Sequence, residues 1–389
     1  MRRSSEKILT THVGSLPGPP DVWGNTRVSD ERLGESVAEV VRRQQAIGID
    51  LVNEGELTKH GTWSSFMKRR LSGFEPAEPG EVKSHWLVDM SQSIDRREFA
   101  EFYQAAVEHG TLFEQTGTAK MKADDEDMRT RVCREPVTYT GQAELGREID
   151  LLGSALGETP PGDAFLTTIA PASFEPNVAD GFYHDEEKFL FAIAEALGRE
   201  YEMIAEAGFM VQVDDAYIPA LWESVGVEIG LEKYRRFIEL RIAALNHALR
   251  NVPREQTRYH LCWGSWHGPH AHDLPLEDTI DLVMTVDTGA YLIESANVRH
   301  EHEWRVWERT KLPKGKILIP GVVSHATTLI EHPDLVSDRI VRFANLLGRD
   351  SIIASTDCGL GARCHPQIVW AKLEALVEGA RRASRQLFA

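Results

Sequence analysis

No run in this chain approaches the roughly 20 apolar residues needed to cross a bilayer. The opening MRRSSEKILTTHVGSLPGPP has no apolar stretch long enough for a secretory signal. The chain is therefore expected to be cytoplasmic, with no membrane partner. Cysteine is scarce: Cys133, Cys262, Cys358 and Cys364 are the only four in 389 residues. That is too few for a disulfide framework, and in a reducing compartment such thiols are available as metal ligands. Positive charge is short as well. The 43 Lys and Arg against 60 Asp and Glu leave a formal net charge of −17, a sign that repels phosphate backbones and argues against a nucleic-acid partner. Short-period repeats, low-complexity tracts and linkers are missing too, so nothing divides the chain.

What is present is ordinary globular material, 42% hydrophobic and 26% charged, arranged as β-like runs alternating with helical-period segments. The runs are ILTTHVGSLP, IDLVNEGELT, PVTYTGQ, FLTTIAPASF, FMVQVDD, YHLCWG, YLIESAN, KILIPGVVS and IIASTDCG. Between them lie segments such as SDERLGESVAEVVRRQQAIG, whose apolar spacing is helical and which stops at Gly48. Such alternation implies a parallel sheet with right-handed crossovers, and this many units favours a (β/α)8 TIM barrel of class α/β over an open sheet. Nine runs for eight places leave one as a loop or an accessory strand. The regularity lapses over about 59–135, read as a helical insertion at the barrel mouth or a subunit contact. The expectation is one barrel domain spanning 1–389, compatible with a homo-oligomer.

Active sites of such barrels lie at the C-terminal ends of the strands. Falling there are His12, Ser15, Glu56, Asp214, Asp215, His260, Cys262, Glu294, Ser324, His325, Asp357 and Cys358. The densest stretch is RYHLCWGSWHGPHAHD, Arg258 through Asp273. His260 and Cys262, two apart on a strand, point to the same side. A His-x-Cys pair in a strand is commonly a packed pair without metal. Here Glu294 and Cys358 end two further runs in loops, and one N, two S and one O donor suit Zn²⁺.

These residues resemble the zinc-dependent, cobalamin-independent methionine synthase superfamily. The likeness is to its single-barrel branch of methionine synthase II-like proteins and epoxyalkane:coenzyme M transferases. It spans essentially the whole chain and is carried by TTHVGSLP, VNEGE, AGFMVQVDD, YHLCWGSWHGPHAHD, LIESANVRHEHEW and STDCGLG. The resemblance implies His260, Cys262, Glu294 and Cys358 as zinc ligands, with Glu294 exchangeable. It implies Glu56 and Asp214 as carboxylates for a substrate ammonium and Ser15 as a contact to the thiol's carboxylate. His12 is taken as a further substrate contact, and Trp263 as a wall of the pocket or a residue packed beneath the loop. The expected reaction is attack of a zinc-bound substrate thiolate on an electrophilic carbon, giving a thioether. The partners are then a small thiol, homocysteine or another, and an alkyl or methyl donor.

The chain departs from the family where a histidine thought to protonate the departing folate follows the GV of GVVSHATT. Ala326 stands there, beside His325. Candidates for the acid are therefore His325, His267 and His270. Epoxide opening by a thiol is the alternative within the class, and a metal-free decarboxylase or lyase on the same barrel is the alternative outside it. A sulfonate on the thiol would call for Lys59, Arg299 or Arg363, read as ordinary surface cations.

Overall fold

The computed structural model describes residues 1–22, 28–59, 63–78, 80–82, 93–111, 130–361 and 363–389. Its strands, in chain order, are β1 (Leu9–Thr10), β2 (Leu71–Pro76), β3 (Arg131–Tyr139), β4 (Phe165–Ile169) and β5 (Val178–Asp180), then β6 (Met210–Asp215), β7 (Thr257–Leu261), β8 (Ala290–Ile293), β9 (Ile317–Val323) and β10 (Ile353–Thr356). Seven form a curled parallel sheet in the order β1-β10-β9-β8-β7-β6-β4. Its two edges approach each other through the IDLVN run. Leu51 N donates to Thr10 O, Val52 N to Asp163 O, and Phe165 N to Val52 O, each at 3.0 Å.

Side-chain alternation along these strands builds two apolar layers. Leu9, Leu51, Ala290, Leu292, Ile317, Ile319 and Ile353 meet in a small cluster of their own. Their neighbours Tyr291, Ile293 and Leu318 join the larger core under the helices. Strands buried on both faces read as continuous apolar runs, and β4, β7, β8, β9 and β10 are buried at every position.

The first crossover helix, Asp30–Ile47, follows its sequence signals. Ser29 caps it by accepting from Arg32 N. Gly48 ends it at φ 94°, where a residue without Cβ is favoured. Leu33, Val37, Val40 and Val41 form its buried stripe. Among the described residues no helix is long and apolar enough to cross a membrane.

The ninth run is resolved by a second, three-stranded sheet. PVTYTGQ lies in β3, which pairs antiparallel with β2 and parallel with β5, outside the large sheet. Val137 and Tyr139 are buried while Thr138 and Thr140 are exposed, the alternation of a sheet with one wet face. The expected helical insertion is therefore mixed. It contains helices Met67–Arg70, Ile94–Glu98 and Ala100–His109, but also β2 and the start of β3. Much of the remainder lies outside the described residues. A bulge at Gly73, φ 95°, fits the close passage of Glu135 O and Pro136 O, each 2.8 Å from where a Cβ would stand.

Arg70, fully buried where Met67–Arg70 meets β2, ties this sheet to the helices Gln142–Ala155 and Glu186–Glu206 that flank the parallel sheet. It donates to Glu148 at 2.6 Å, Glu200 at 3.1 Å and Glu144 at 3.2 Å. Tyr139 Oη and Thr168 Oγ1 also donate to Glu200, at 2.8 and 2.9 Å. Removing one partner of such a group strands buried charge. Arg70→Met should cost about 3–5 kcal/mol, read as a lower urea midpoint. An unchanged midpoint would show that the carboxylates find other partners.

Candidate metal centre

The last residues of β6 to β10 and the loops after them converge. Nitrogen and sulfur donors of His260, Cys262 and Cys358 lie within 4.8 Å of one another, two of the residues buried and Cys358 half-buried. The His-x-Cys spacing at the end of β7 and the turn after β10 bring them together. Neither ring nitrogen of His260 has a hydrogen-bond partner that satisfies ordinary geometry among the described residues, unusual for a side chain only 1% exposed. Burial opposes its positive charge, yet the neighbouring Cys358 and Asp214 raise it above the ordinary histidine range.

The two thiols behave as one proton-sharing pair. Cys358 is held well below the usual thiol range by hydrogen bonding from Cys262, with His260 adding to this, and Cys262 is pushed well above it by Cys358 and burial. Two adjacent buried thiolates need a cation to exist together. One imidazole nitrogen and two sulfurs, closely spaced and unsatisfied, therefore fit a soft divalent metal.

Glu294 falls into a second set, its carboxylate within 4.8 Å of donors on His325 and Asp357. It accepts from Trp263 N at 3.2 Å and Asn297 Nδ2 at 2.6 Å. Burial and the charges of Asp357 and Cys358 push it well above the carboxylate range. Asp357 accepts the backbone N–H groups of Ser295, Ala296 and Asn297 at 2.7, 2.9 and 2.7 Å. Its role was not foreseen from the sequence, although its place directly before a candidate ligand was a signal.

Two acids face the triad from the other side. Asp214 lies opposite His260 in the β6–β7 register, and burial lifts it to about 7. Glu56, at φ 58°, accepts from Thr167 Oγ1 at 2.7 Å and is raised by burial, with Lys59 opposing and Cys358 adding. A Cβ on Gly14 would stand 2.6 Å from Glu56 Oε1, so the GS pair needs its glycine there. Ser15 O accepts from Leu360 N and Gly361 N, both at 3.0 Å, which sets Ser15 beside the Cys358 turn.

Other expected residues are placed differently. His12 is fully buried; its Nε2 pairs with Gln44 at 2.8 Å, and burial holds it neutral, down to about 3. Trp263 packs beneath the loop. Its Nε1 donates to Leu274 O at 2.7 Å and its ring stacks on His300 at 4.1 Å. Both nitrogens of His270 are engaged, by Asp273 and Trp266 O at 3.1 Å. His267 is half-buried and pushed down to about 4 by burial, with Arg363 adding to this. His325 is buried, its Nδ1 without a partner among the described residues, and burial lowers it to about 4.

Two supposed surface cations prove otherwise. Lys59 is buried, donating to Thr167 Oγ1 and standing 3.9 Å from Glu54. Arg363 donates to Ser265 Oγ and lies near both thiols. Arg299 is exposed, as expected, and donates to Ala271 O.

The structure thus describes an α/β protein with a thiol-rich, metal-fitting cluster at the C-terminal ends of parallel strands. No family model matches the chain. It is 23% identical over 427 residues to the 2-hydroxypropyl-CoM lyase of Xanthobacter autotrophicus, covering 100% of this chain and 98% of that protein. It is 21% identical over 393 residues to the 5-methyltetrahydropteroyltriglutamate–homocysteine methyltransferase of Thermotoga petrophila. That match takes in 97% of this chain but 44% of the enzyme, so the chain spans less than half of that relative. A B12-independent methionine synthase from Shewanella sp. W3-18-1, solved with selenomethionine, shares the fold: TM-score 0.71 at 18% identity, covering 98% of this chain and 99% of that one. The homologues of this chain are therefore a CoM lyase and cobalamin-independent methionine synthases, the superfamily that its motifs resemble.

Because the thiol pair holds a proton that a metal must displace, uptake of Zn²⁺ or Co²⁺ should release protons. Affinity should then fall about tenfold per pH unit below neutrality for each proton released. Competition with a chromophoric chelator measures this. Cys262→Ser and Cys358→Ser should each weaken binding at least about a hundredfold while circular dichroism is unchanged. Affinity independent of pH, or unaffected by both substitutions, would rule out the site.

Proposed function

We propose that this chain is a closed (β/α)8 barrel enzyme that transfers an alkyl or methyl group to a small thiol. Zinc is the metal, held by His260, Cys262 and Cys358, with Glu294 as a fourth ligand that yields to the substrate. The observation that carries this reading is the buried triad, in which an imidazole without a well-aligned hydrogen-bond partner among the described residues faces two thiols that cannot both ionise alone. A metal bound there lowers the pKa of an incoming thiol and keeps its sulfur nucleophilic.

The remaining roles belong to the chain's own groups. Cys262 and Cys358 give up their shared proton as the centre loads. Glu56 and Asp214 receive a substrate ammonium, since a cation restores both to the charged state that burial disfavours. Ser15, beside the Cys358 turn, contacts the substrate's anionic end. His325 is the preferred proton donor to the leaving group, because His270 has both nitrogens engaged. As a neutral imidazole it relays a proton rather than storing one.

Epoxide opening by a thiol is the second reading. It is favoured by the full-length similarity to the CoM lyase, by Ala326 where the methionine synthases carry histidine, and by Arg363 near the thiols. The two separate by assay. Zinc-loaded protein is given homocysteine with methyl-donating folates, and 2-mercaptoethanesulfonate with epoxypropane, and thioether is sought by mass spectrometry. Methionine supports the first reading and hydroxypropyl thioether the second. Chelator-sensitive binding with no thioether from either pair would overturn thiol transfer to these substrates, and absence of stoichiometric metal would favour the metal-free lyase.

A further inference from the structure

Among the described residues, the helices Ile94–Glu98 and Ala100–His109 are joined to the loop that follows Cys262. Tyr103 and Ala106 form a small buried cluster against which Trp266 packs. Trp266 Nε1 donates to Tyr103 Oη at 3.4 Å. Asp95, fully buried in the first turn, accepts Ala271 N at 2.9 Å and pairs with His272 Nδ1 at 2.6 Å. His272 Nε2 also lies 3.4 Å from Glu98. Among the described residues, the contacts of this seam fall on residues 266–272, in the loop that follows Cys262.

The same seam contains a group that opposes it. Glu223, on the π-helical turn Trp222–Gly226, is buried, and neither carboxylate oxygen has a hydrogen-bond partner of good geometry among the described residues. Burial, with the like charges of Asp95 and Asp273, lifts it to about 7, so near neutrality it carries its charge in part; His270 faces it with opposite charge, and Ser93 is the neighbouring hydroxyl. A buried carboxylate without satisfied oxygens is costly. Turns of this kind recur at functional sites.

We infer that the helices over 94–109 are a releasable lid on the metal loop, with Asp95 as the positioning residue that docks it and Glu223 as the residue that keeps the docking reversible. This rests on reading Cys262 as a metal ligand, which makes the loop a wall of the substrate pocket. The two residues then act with opposite sign. Asp95→Ala removes both bonds to the loop. Glu223→Gln removes the like-charge repulsion while keeping shape and adding N–H donors for Asp95 or Asp273.

Hydrogen–deuterium exchange on the full-length, zinc-loaded protein reads this directly. Asp95→Ala should speed exchange in 94–109 and 263–273 at least tenfold, with β4 and β6–β10 unchanged. Asp95→Asn, which keeps one acceptor, should fall between it and the native protein. Glu223→Gln should slow exchange in the same two segments at least threefold. Where thiol transfer is measurable, it should lower kcat and KM together, as slower opening requires. Shifts of both variants in the same direction, no change with Glu223→Gln, or acceleration spreading through the barrel strands would overturn the lid. A native protein without zinc or thiol transfer would sink the functional reading but leave the exchange result to stand alone.

Discussion

The carboxylate of Asp357 organises the mouth of the sheet. Three successive backbone N–H groups, from Ser295 to Asn297, end on it, which fastens the turn after β10 to the loop after β8. Burial raises Asp357 to about 6 while those three bonds pull the other way. It stays a structural anion because its lone pairs are already used. Gly321 in β9 makes this possible, since a Cβ there would overlap the Asp357 carboxylate. Through this one group three strand ends are drawn close. Cys358, one residue on, is brought to Cys262, and Glu294, one residue before Ser295, is brought to His325. Asn297 completes the arrangement by donating to Glu294 and accepting from Arg299 N and His300 N.

Around that anchor the charges divide by side. Glu54, Glu56 and Asp214 lie toward β4 and β6, with Lys59 among them. Arg363 lies by the metal loop, where the histidines His267 and His325 are held neutral by burial. A chain with a net charge of −17 therefore does not present a uniformly negative pocket. Inside a low-dielectric site, partial compensation matters more than the surface sum. Beneath the triad, Arg258 is fully buried. It donates to Thr11 Oγ1 at 3.0 Å and His12 O at 2.8 Å and stacks on Phe165 at 4.1 Å. Burial lowers it to about 9 and Asp214 opposes that shift. The floor of the site is polar, and it is held by hydrogen bonds from one strand end to another.

Much of this was legible from periodicity alone. The parallel strands read as apolar runs because both faces are covered, and the helix ending at Gly48 was marked by its cap residues. The convergence of His260 and Cys262 was legible because a two-residue spacing on a strand fixes direction, while Cys358 is legible from its place at the end of another run and from the resemblance. What escaped had physical reasons. PVTYTGQ resembled the other runs in composition, and only its alternation of Val and Tyr with Thr betrayed a half-exposed sheet. Its partner LSGFEP contains Gly and Pro, which hide a strand whose pairing depends on a bulge. Lys59 and Arg363 resembled surface cations because burial of a long charged side chain depends on partners distant in sequence: Thr167 and Glu54 for one, Ser265 for the other. His12 looked like a pocket residue because it follows the first strand, whereas its ring is buried against Gln44, and Trp263 takes the second of its two readings, packed beneath the loop.

On the proposed reading, the geometry divides the site into a half that would hold the thiol and a half that would meet its electrophile. His260 near the end of β7 and Cys262 just after it meet Cys358 from the turn after β10, so the half that would hold the thiol is set by backbone geometry. On that reading the electrophile would be met by loops, by residues 263–273, by the turn around Glu223 and by the segment containing His325 and Ala326. In that last segment the methionine-synthase pattern places a histidine where this chain has alanine. A departing amine and an epoxide oxygen need protons at different points relative to the attacked carbon. Moving the imidazole by one residue, onto the other side of the chain, changes which of them can be reached. Relatives that end in a lyase and in a methyltransferase are consistent with a thiol centre held constant and a proton donor free to vary.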